Sequence, residues 1–409
     1  MGGWRRRSVV GSAIGVVVCA AGFGLAGVAD SSGDEAPPPE VSRGWQRTDA
    51  WPHPDVVAYD NVAVGSGLNT VAWFTRRGHG DVDAVAYREI KDGDDAVELD
   101  LQTPDTGVVI PVAVAIELDR WTAVAVSRDT AEGPNTGLMA WTGGSLDGGP
   151  ISTGSALQLP AASITADEPL APKTVSAAQL GETSVVTAVV NHRALVWRST
   201  DAGASWSSPS LAGGADDALV SVKMASDGER LVLAGVEAAG PAHLWTSTDG
   251  ESWDETTTAR LPDDVGSVGL LAVLEPGRVA VGWLDDEPSA PFNATSMVVQ
   301  VLDGDGLSQE GRITARDTGS QRVDPSGASL SPSGRLVVVG AALRANGTAT
   351  PMVWVRDRNR WQPTEQAELV ARFDYQFRAV ATTRDGRMIG LVSALNHIDM
   401  ESWLWQPDG

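Results

Sequence analysis

Cysteine is almost missing from this chain: Cys19 is the only one in 409 residues, and it sits inside an N-terminal apolar stretch. The remainder can therefore form neither a disulfide framework nor a cysteine metal site. Positive charge is also scarce, with 30 Lys and Arg against 53 Asp and Glu, a net charge of −23. Nucleic acid is excluded as a partner, because neutralising phosphates requires a concentrated basic surface. No Gly-rich phosphate loop, nucleophile elbow or His-Glu-x-x-His stretch is present. No amphipathic helix of useful length interrupts the chain, which disfavours a helical solenoid. Tyrosine is limited to Tyr59, Tyr87 and Tyr375.

What is present begins with Arg5-Arg6-Arg7, followed by an uncharged stretch from Ser8 to Ala29 that Asp30 ends. Basic residues before an apolar segment describe either a signal peptide or a membrane anchor. Gly27-Val28-Ala29 offers the small residues a signal peptidase needs, and the 22 residues from Ser8 to Ala29 also meet the length of about 20 that spans a bilayer. Arg6-Arg7-Ser8-Val9-Val10 has a twin-arginine look. Val16-Val17-Val18-Cys19 resembles a lipoprotein box but has Val18 where a small residue is wanted. Each reading places the rest outside the cytoplasm, secreted or anchored. Residues 30–43, rich in proline and acid, read as an extended, solvated linker. The expected organisation is thus 1–29 signal or anchor, 30–43 linker and 44–409 a single folded domain.

Within that domain a motif repeats. Short apolar strands that end in an aromatic recur at Tyr87, Trp141, Trp197, Trp245, Trp354 and Trp405, and a strand at Gln300 keeps the spacing without the aromatic. From Tyr87 to Trp405 the six steps average 53 residues. Upstream of each lies a more hydrophobic run, such as Val185–Val190, Leu231–Gly235 or Leu336–Gly340. Runs apolar on both faces suit strands sandwiched between neighbouring sheets. Tight-turn signals precede several of them, including Asp227-Gly228 and Ser333-Gly334, and another short strand precedes each turn. Four antiparallel strands per repeat is a β-propeller pattern, since one such sheet exposes apolar faces that only radial neighbours can cover. The count is seven blades, with six or eight as alternatives because the second and fifth repeats are the least regular. The last repeat lacks room for a fourth strand, while Gly44-Trp45-Gln46-Arg47-Thr48 resembles Arg360-Trp361-Gln362-Pro363-Thr364, a fourth strand. An N-terminal strand is therefore expected to complete the last blade and remove its open edge.

Ser199-Thr200-Asp201-Ala202-Gly203-Ala204-Ser205-Trp206 fits the pattern Ser-x-Asp-x-Gly-x-x-Trp, and Ser247-Thr248-Asp249-Gly250-Glu251-Ser252-Trp253 is a copy shorter by one residue, 48 positions on. On these motifs the chain resembles the Asp-box (BNR-type) propellers, a superfamily that includes sialidases and photosystem stability factor-like proteins. The resemblance implies the propeller fold and a structural role for Ser199, Asp201, Gly203, Trp206, Ser247, Asp249 and Trp253, in turns that lie away from the active face of the family's enzymes. A short Asp side chain can accept hydrogen bonds from its own turn, and the tryptophan can bury a large apolar area beside it. The sialidase catalytic pattern is not matched: the Arg-Ile-Pro signature is absent. Tyr375, with Asp374 and Arg378 nearby, is the one tyrosine placed at the start of an innermost strand.

Candidate binding residues come from loops that all open on the face opposite the Asp-box turns. His79, His192, His243 and His397 fall between second and third strands, near Arg76, Arg77, Arg193, Asp285 and Arg344. Arg76, Arg77, His79, His192, Arg193, Arg344, His397 and Tyr375 are the candidate set for an anionic or sugar-like ligand, or a protein loop. The histidines are too scattered for a metal site; no catalytic residue, metal or cofactor is assigned. The expected function is extracytoplasmic, non-catalytic binding or scaffolding by a monomer, touching membrane only through its N-terminal segment. The alternative is a divergent carbohydrate-active enzyme with an axial site.

Overall fold

The computed structural model describes residues 41–42, 45–50, 56–64, 71–77, 85–88, 97–100, 108–117, 120–128, 137–143 and 154–160. From 174 to 405 it describes all except 213–217, 239, 257–260, 264, 286–293, 305, 332, 345–347, 359, 366–374, 383–387 and 395–399. The expected signal or anchor (1–29) and most of the expected linker lie outside the described residues. No described helix is long and apolar enough to cross a membrane.

The described strands form six four-stranded sheets and one five-stranded sheet, each antiparallel and, in six of the seven, built from strands consecutive in the chain. In the first sheet, Val56–Val64 is innermost, followed outward by Val71–Arg77, Val85–Arg88 and Val97–Asp100. The innermost strands of the next five are Val108–Glu117, Val175–Leu180, Leu219–Ser226, Ser267–Glu275 and Arg322–Leu330. The seventh starts with Tyr375–Thr382. Each innermost strand packs against the next, and Tyr375–Thr382 packs against Val56–Val64, so the series closes into a ring.

The seventh sheet takes its outer strands from the other end of the chain. Trp45–Ala50 pairs antiparallel with Met400–Trp405, Trp45 opposite Trp405. One detail differs from the sequence reading. Val41–Ser42 folds back on Trp45 and Gln46 as a fifth strand, so the linker is shorter than 30–43.

Second strands are buried on both faces, as their composition requires: Leu231–Glu237 and Leu336–Leu343 are enclosed over all but their last residue. The apolar side chains form layers between sheets rather than one central core. One layer joins Val124, Val126 and Leu138 of the second sheet to Val186, Ala188 and Trp197 of the third. Others join third to fourth, fourth to fifth, fifth to sixth and sixth to seventh. Each fully buried Val or Leu contributes roughly 1.5–3 kcal/mol, so neighbours in the ring stabilise one another.

Trp141, Trp197, Trp245 and Trp354, the aromatic positions of four third strands, are fully buried. The fifth sheet, with Gln300 in that place, solves the problem differently. Trp283 on its second strand is fully buried, and its indole N–H donates to the Gln300 Oε1 at 2.9 Å. The ring volume is kept and a polar partner satisfies the buried N–H.

Candidate functional site

Antiparallel order puts the first-to-second and third-to-fourth turns at one end of the ring. The second-to-third loops and the connections between sheets lie at the other. At the turn end, Asp201 accepts from Ser199 Oγ at 2.8 Å and from Ser205 N at 2.9 Å, while Gly203 N donates to Ser199 Oγ at 2.8 Å. Hydrogen bonds from the Ser205 hydroxyl and amide, then from Ser199, lower the Asp201 pKa to about 2. Asp249 is held the same way: Ser252 N and Glu251 N donate to it at 2.9 and 2.8 Å and lower its pKa, and Gly250 N donates to Ser247 Oγ.

Both turns also dock on the preceding sheet. Gly203, at φ 80°, sits so close to Thr142 of the second sheet that a Cβ would fall 2.2 Å from its hydroxyl. Arg198 of the third sheet donates to the Asp249 carbonyl at 3.2 Å and pairs with Glu251 at 2.9 Å. Trp206 and Trp253 pack onto the layers beneath. All seven motif residues are thus used in holding turns and joining neighbours.

The loop-end candidates are scattered. Asn191 and His192, at φ 50° and 61°, are the two central residues of a tight hairpin, exposed with Arg193. Arg76 and Arg77 end the second strand of the first sheet, and Arg344 follows that of the sixth. Tyr375 begins the innermost strand of the seventh. The side chains of Arg76, Arg77 and Tyr375, and all of His79 and His397, lie outside the described residues. Among the described candidates, no hydrogen bond joins His192 or Arg193 to Arg344. His243 corrects the sequence reading: it belongs to the third strand Ala242–Ser247, not to a loop. Its buried ring bonds Glu237 at 2.8 Å and Glu255 at 3.0 Å and stacks on Trp245. No cluster of three or more His, Cys, Asp or Glu suited to a metal ion occurs among the described residues.

What the loop end does assemble is a groove of about 510 Å³ where the fifth and sixth sheets meet. It is lined by Thr295, Ser296, Arg312, Thr314, Ala315, Arg316, Gly319, Ser320 and Gln321. Asp285 holds its wall: Thr295 and Ser296 each donate a backbone N–H at 2.8 Å and a hydroxyl, at 2.9 and 2.7 Å, to this carboxylate. Burial acts to raise the Asp285 pKa, but these four donors outweigh it and the net shift is downward. Arg312 donates to the Ser296 hydroxyl, which in turn donates a hydrogen bond to Asp285.

The floor is the short helical turn Ala315–Thr318, capped by Thr314 Oγ1, which accepts from Asp317 N, and closed by Gly319 at φ 65°. Gln321 N donates to Leu343 O at 2.9 Å, which places the groove beside Arg344 of the candidate set. Arg312 and Arg316 are exposed. The groove lining holds two arginines and no carboxylate, and the nearby acids Asp285 and Asp317 are already hydrogen bonded.

The sequence reading missed Arg312 and Arg316 because it searched only the second-to-third loops. Connections between successive sheets open on the same end, and Arg316 lies in one of them.

No protein-family model matches the chain, and no curated protein matches it. Solved structures do. A chain of the mitotic checkpoint complex crystal structure aligns with a TM-score of 0.52 at 11% identity, over 94% of this chain and 100% of that one. The fold is a β-propeller. A Trypanosoma rangeli sialidase aligns at TM-score 0.46 and 10% identity over 88% of this chain, which spans only 55% of that enzyme's length. The SapL1 lectin in complex with alpha methyl fucoside aligns at 0.43 and 13% identity, over 76% of this chain and 97% of that one. At such identities the likeness of this propeller to its neighbours extends to the fold alone.

Proposed function

We propose that the protein is an extracytoplasmic, seven-bladed, Asp-box-type propeller that binds an acidic carbohydrate without chemistry of its own. The observation that carries this is the groove in which exposed Arg312 and Arg316 stand among hydroxyl and amide side chains with no carboxylate in the lining, on a chain of net charge −23. Guanidinium groups pair bidentately with carboxylates or sulfates. Gln321 offers an amide donor and acceptor, and the hydroxyl oxygens of Thr295, Thr314 and Ser320, whose protons are donated within the protein, offer acceptor lone pairs to sugar hydroxyls. The export reading rests on Arg5-Arg6-Arg7 and the apolar stretch after them.

Calorimetric titration of an oligogalacturonate against a neutral maltooligosaccharide tests the proposal. The acidic ligand is expected to bind and the neutral one not. Changing Arg312 and Arg316 together to Ala is expected to weaken binding at least about tenfold, since hydrogen bonds to charged groups contribute roughly 1.5–3 kcal/mol each. An affinity untouched by that double change would refute the groove as the site, and absence of any acidic ligand on a glycan array would refute the function.

A further inference from the structure

The axis of the ring encloses a second cavity, of about 750 Å³, walled by the innermost strands of the second through seventh sheets. Its wall is mostly Ala, Val, Leu and Ser. Among the described lining residues one cation occurs, Lys223, on the innermost strand of the fourth sheet. The carboxylates of the lining are Glu117 and Glu275, both at strand ends against the turns. Glu117 is engaged, accepting from Gly181 N and Ser226 Oγ.

The choice of residue at 223 is unusual for this chain. Of its 30 basic residues only Lys91, Lys173 and Lys223 are lysines; the other 27 are arginines. Where the protein needs a fixed positive charge it uses a group that cannot lose its proton. At the one described lining position that carries a cation it uses an amine, which can. No hydrogen bond or ion pair is made by the Lys223 ammonium among the described residues. Enclosure by the ring lowers its pKa, with the charge of Asp324 on the sixth sheet opposing in part. An amine without a hydrogen-bond partner among the described residues, in such surroundings, spends more of its time neutral, with its lone pair available. A charged ligand would have to give up its hydration for a wall of small apolar groups and serines. A small neutral carbonyl compound would not.

We infer that the axial cavity is a binding site for small aldehydes or ketones, which Lys223 captures reversibly as an imine. The Nζ lone pair attacks the carbonyl carbon and the C=O π pair moves to oxygen, giving a carbinolamine after proton transfer from nitrogen to oxygen. Loss of that hydroxyl with a second proton from nitrogen releases water and leaves the C=N bond, so no oxidant or reductant is needed.

The test exposes the full chain to butanal with sodium cyanoborohydride at neutral pH, followed by peptide mass spectrometry of all three lysines. Each unit by which an amine pKa falls raises its neutral fraction about tenfold. Lys223 is accordingly expected to be butylated several-fold faster than Lys91 and Lys173. Lys223→Met is expected to leave labelling of the other two unchanged, and circular dichroism verifies that this variant is folded. Prior saturation of the cavity with unreduced butanone is expected to slow labelling at Lys223 alone. Labelling of Lys223 at or below the rate of the other lysines, or labelling that butanone slows equally at all three, would overturn the inference.

Discussion

The fourth and fifth sheets show two ways of building the same unit. In the fourth, Trp245 fills the third-strand position, the Ser247–Trp253 turn docks on the preceding sheet, and the outer strand among the described residues is Asp254–Glu255. In the fifth, Gln300 and Trp283 share the aromatic role. A tight turn at Gly304, whose carbonyl accepts from Arg230 of the fourth sheet, takes the place of the Asp-containing turn, and the outer strand Gly306–Thr314 runs for nine residues. Chain length that the fourth sheet spends on stapling, the fifth spends on reach. Its outer strand travels from the turn end to the loop end and delivers Arg312 and Thr314 into the groove. The regular sheet is specialised for cohesion and the irregular one for presentation.

The largest expected effect tests whether the two aromatic solutions are equivalent. Trp245→Ala and Trp283→Ala should each cost about 3–5 kcal/mol in denaturant unfolding, as large buried side chains do. A much smaller loss for Trp283 would mean that the fifth sheet is not held by its displaced ring. Next, Gln300→Leu should cost about 1–3 kcal/mol by leaving the Trp283 N–H buried without a partner. A neutral outcome would show the polar partner to be dispensable.

Acid titration then separates stapled from unstapled sheets. Asp201 has a folded pKa of about 2 against an ordinary 3.8, so its contribution is present above the ordinary value and fades as pH falls toward 2. Asp249, also lowered, acts in the same direction. Asp201→Asn combined with Asp249→Asn should flatten the decline of unfolding free energy below pH 4, whereas Arg198→Ala should leave most of it. The smallest expected effect concerns Arg312→Ala with Arg316→Ala. Both side chains are exposed, so stability should shift by no more than about 0.5 kcal/mol while acidic oligosaccharide binding is lost. A large drop in melting temperature would make these arginines structural.

The legible parts of the sequence were those in which local pattern determines structure. The runs Leu231–Gly235 and Leu336–Gly340 had to lie between sheets because both faces are apolar, and they do. The likeness of residues 45–48 to 361–364 located the strand that pairs with Met400–Trp405. The Ser-x-Asp turns carried their hydrogen-bonding logic within eight residues. His243 was misplaced because a polar residue next to a turn looks like loop, yet here Glu237 and Glu255 satisfy both ring nitrogens inside the sheet. The groove was hidden for a different reason. It depends on how far one outer strand extends and on which connection it meets, a relation between residues 285, 312 and 321 that no local pattern encodes. Lys223 was equally opaque, since which side chains line the axis depends on how all the sheets are assembled.

The seam between Trp45–Ala50 and Met400–Trp405 also bears on how the molecule acquires its shape. On the ribosome, Trp45–Ala50 must wait until Met400–Trp405 has been made before it finds its place, and bringing together stretches so remote in sequence costs entropy and time. Until that moment one flank of the nascent ring is an unpaired ladder inviting association with another chain. Once zipped, only hydrogen bonds and packing fasten the wheel shut, so a pull between those two segments would open it there first.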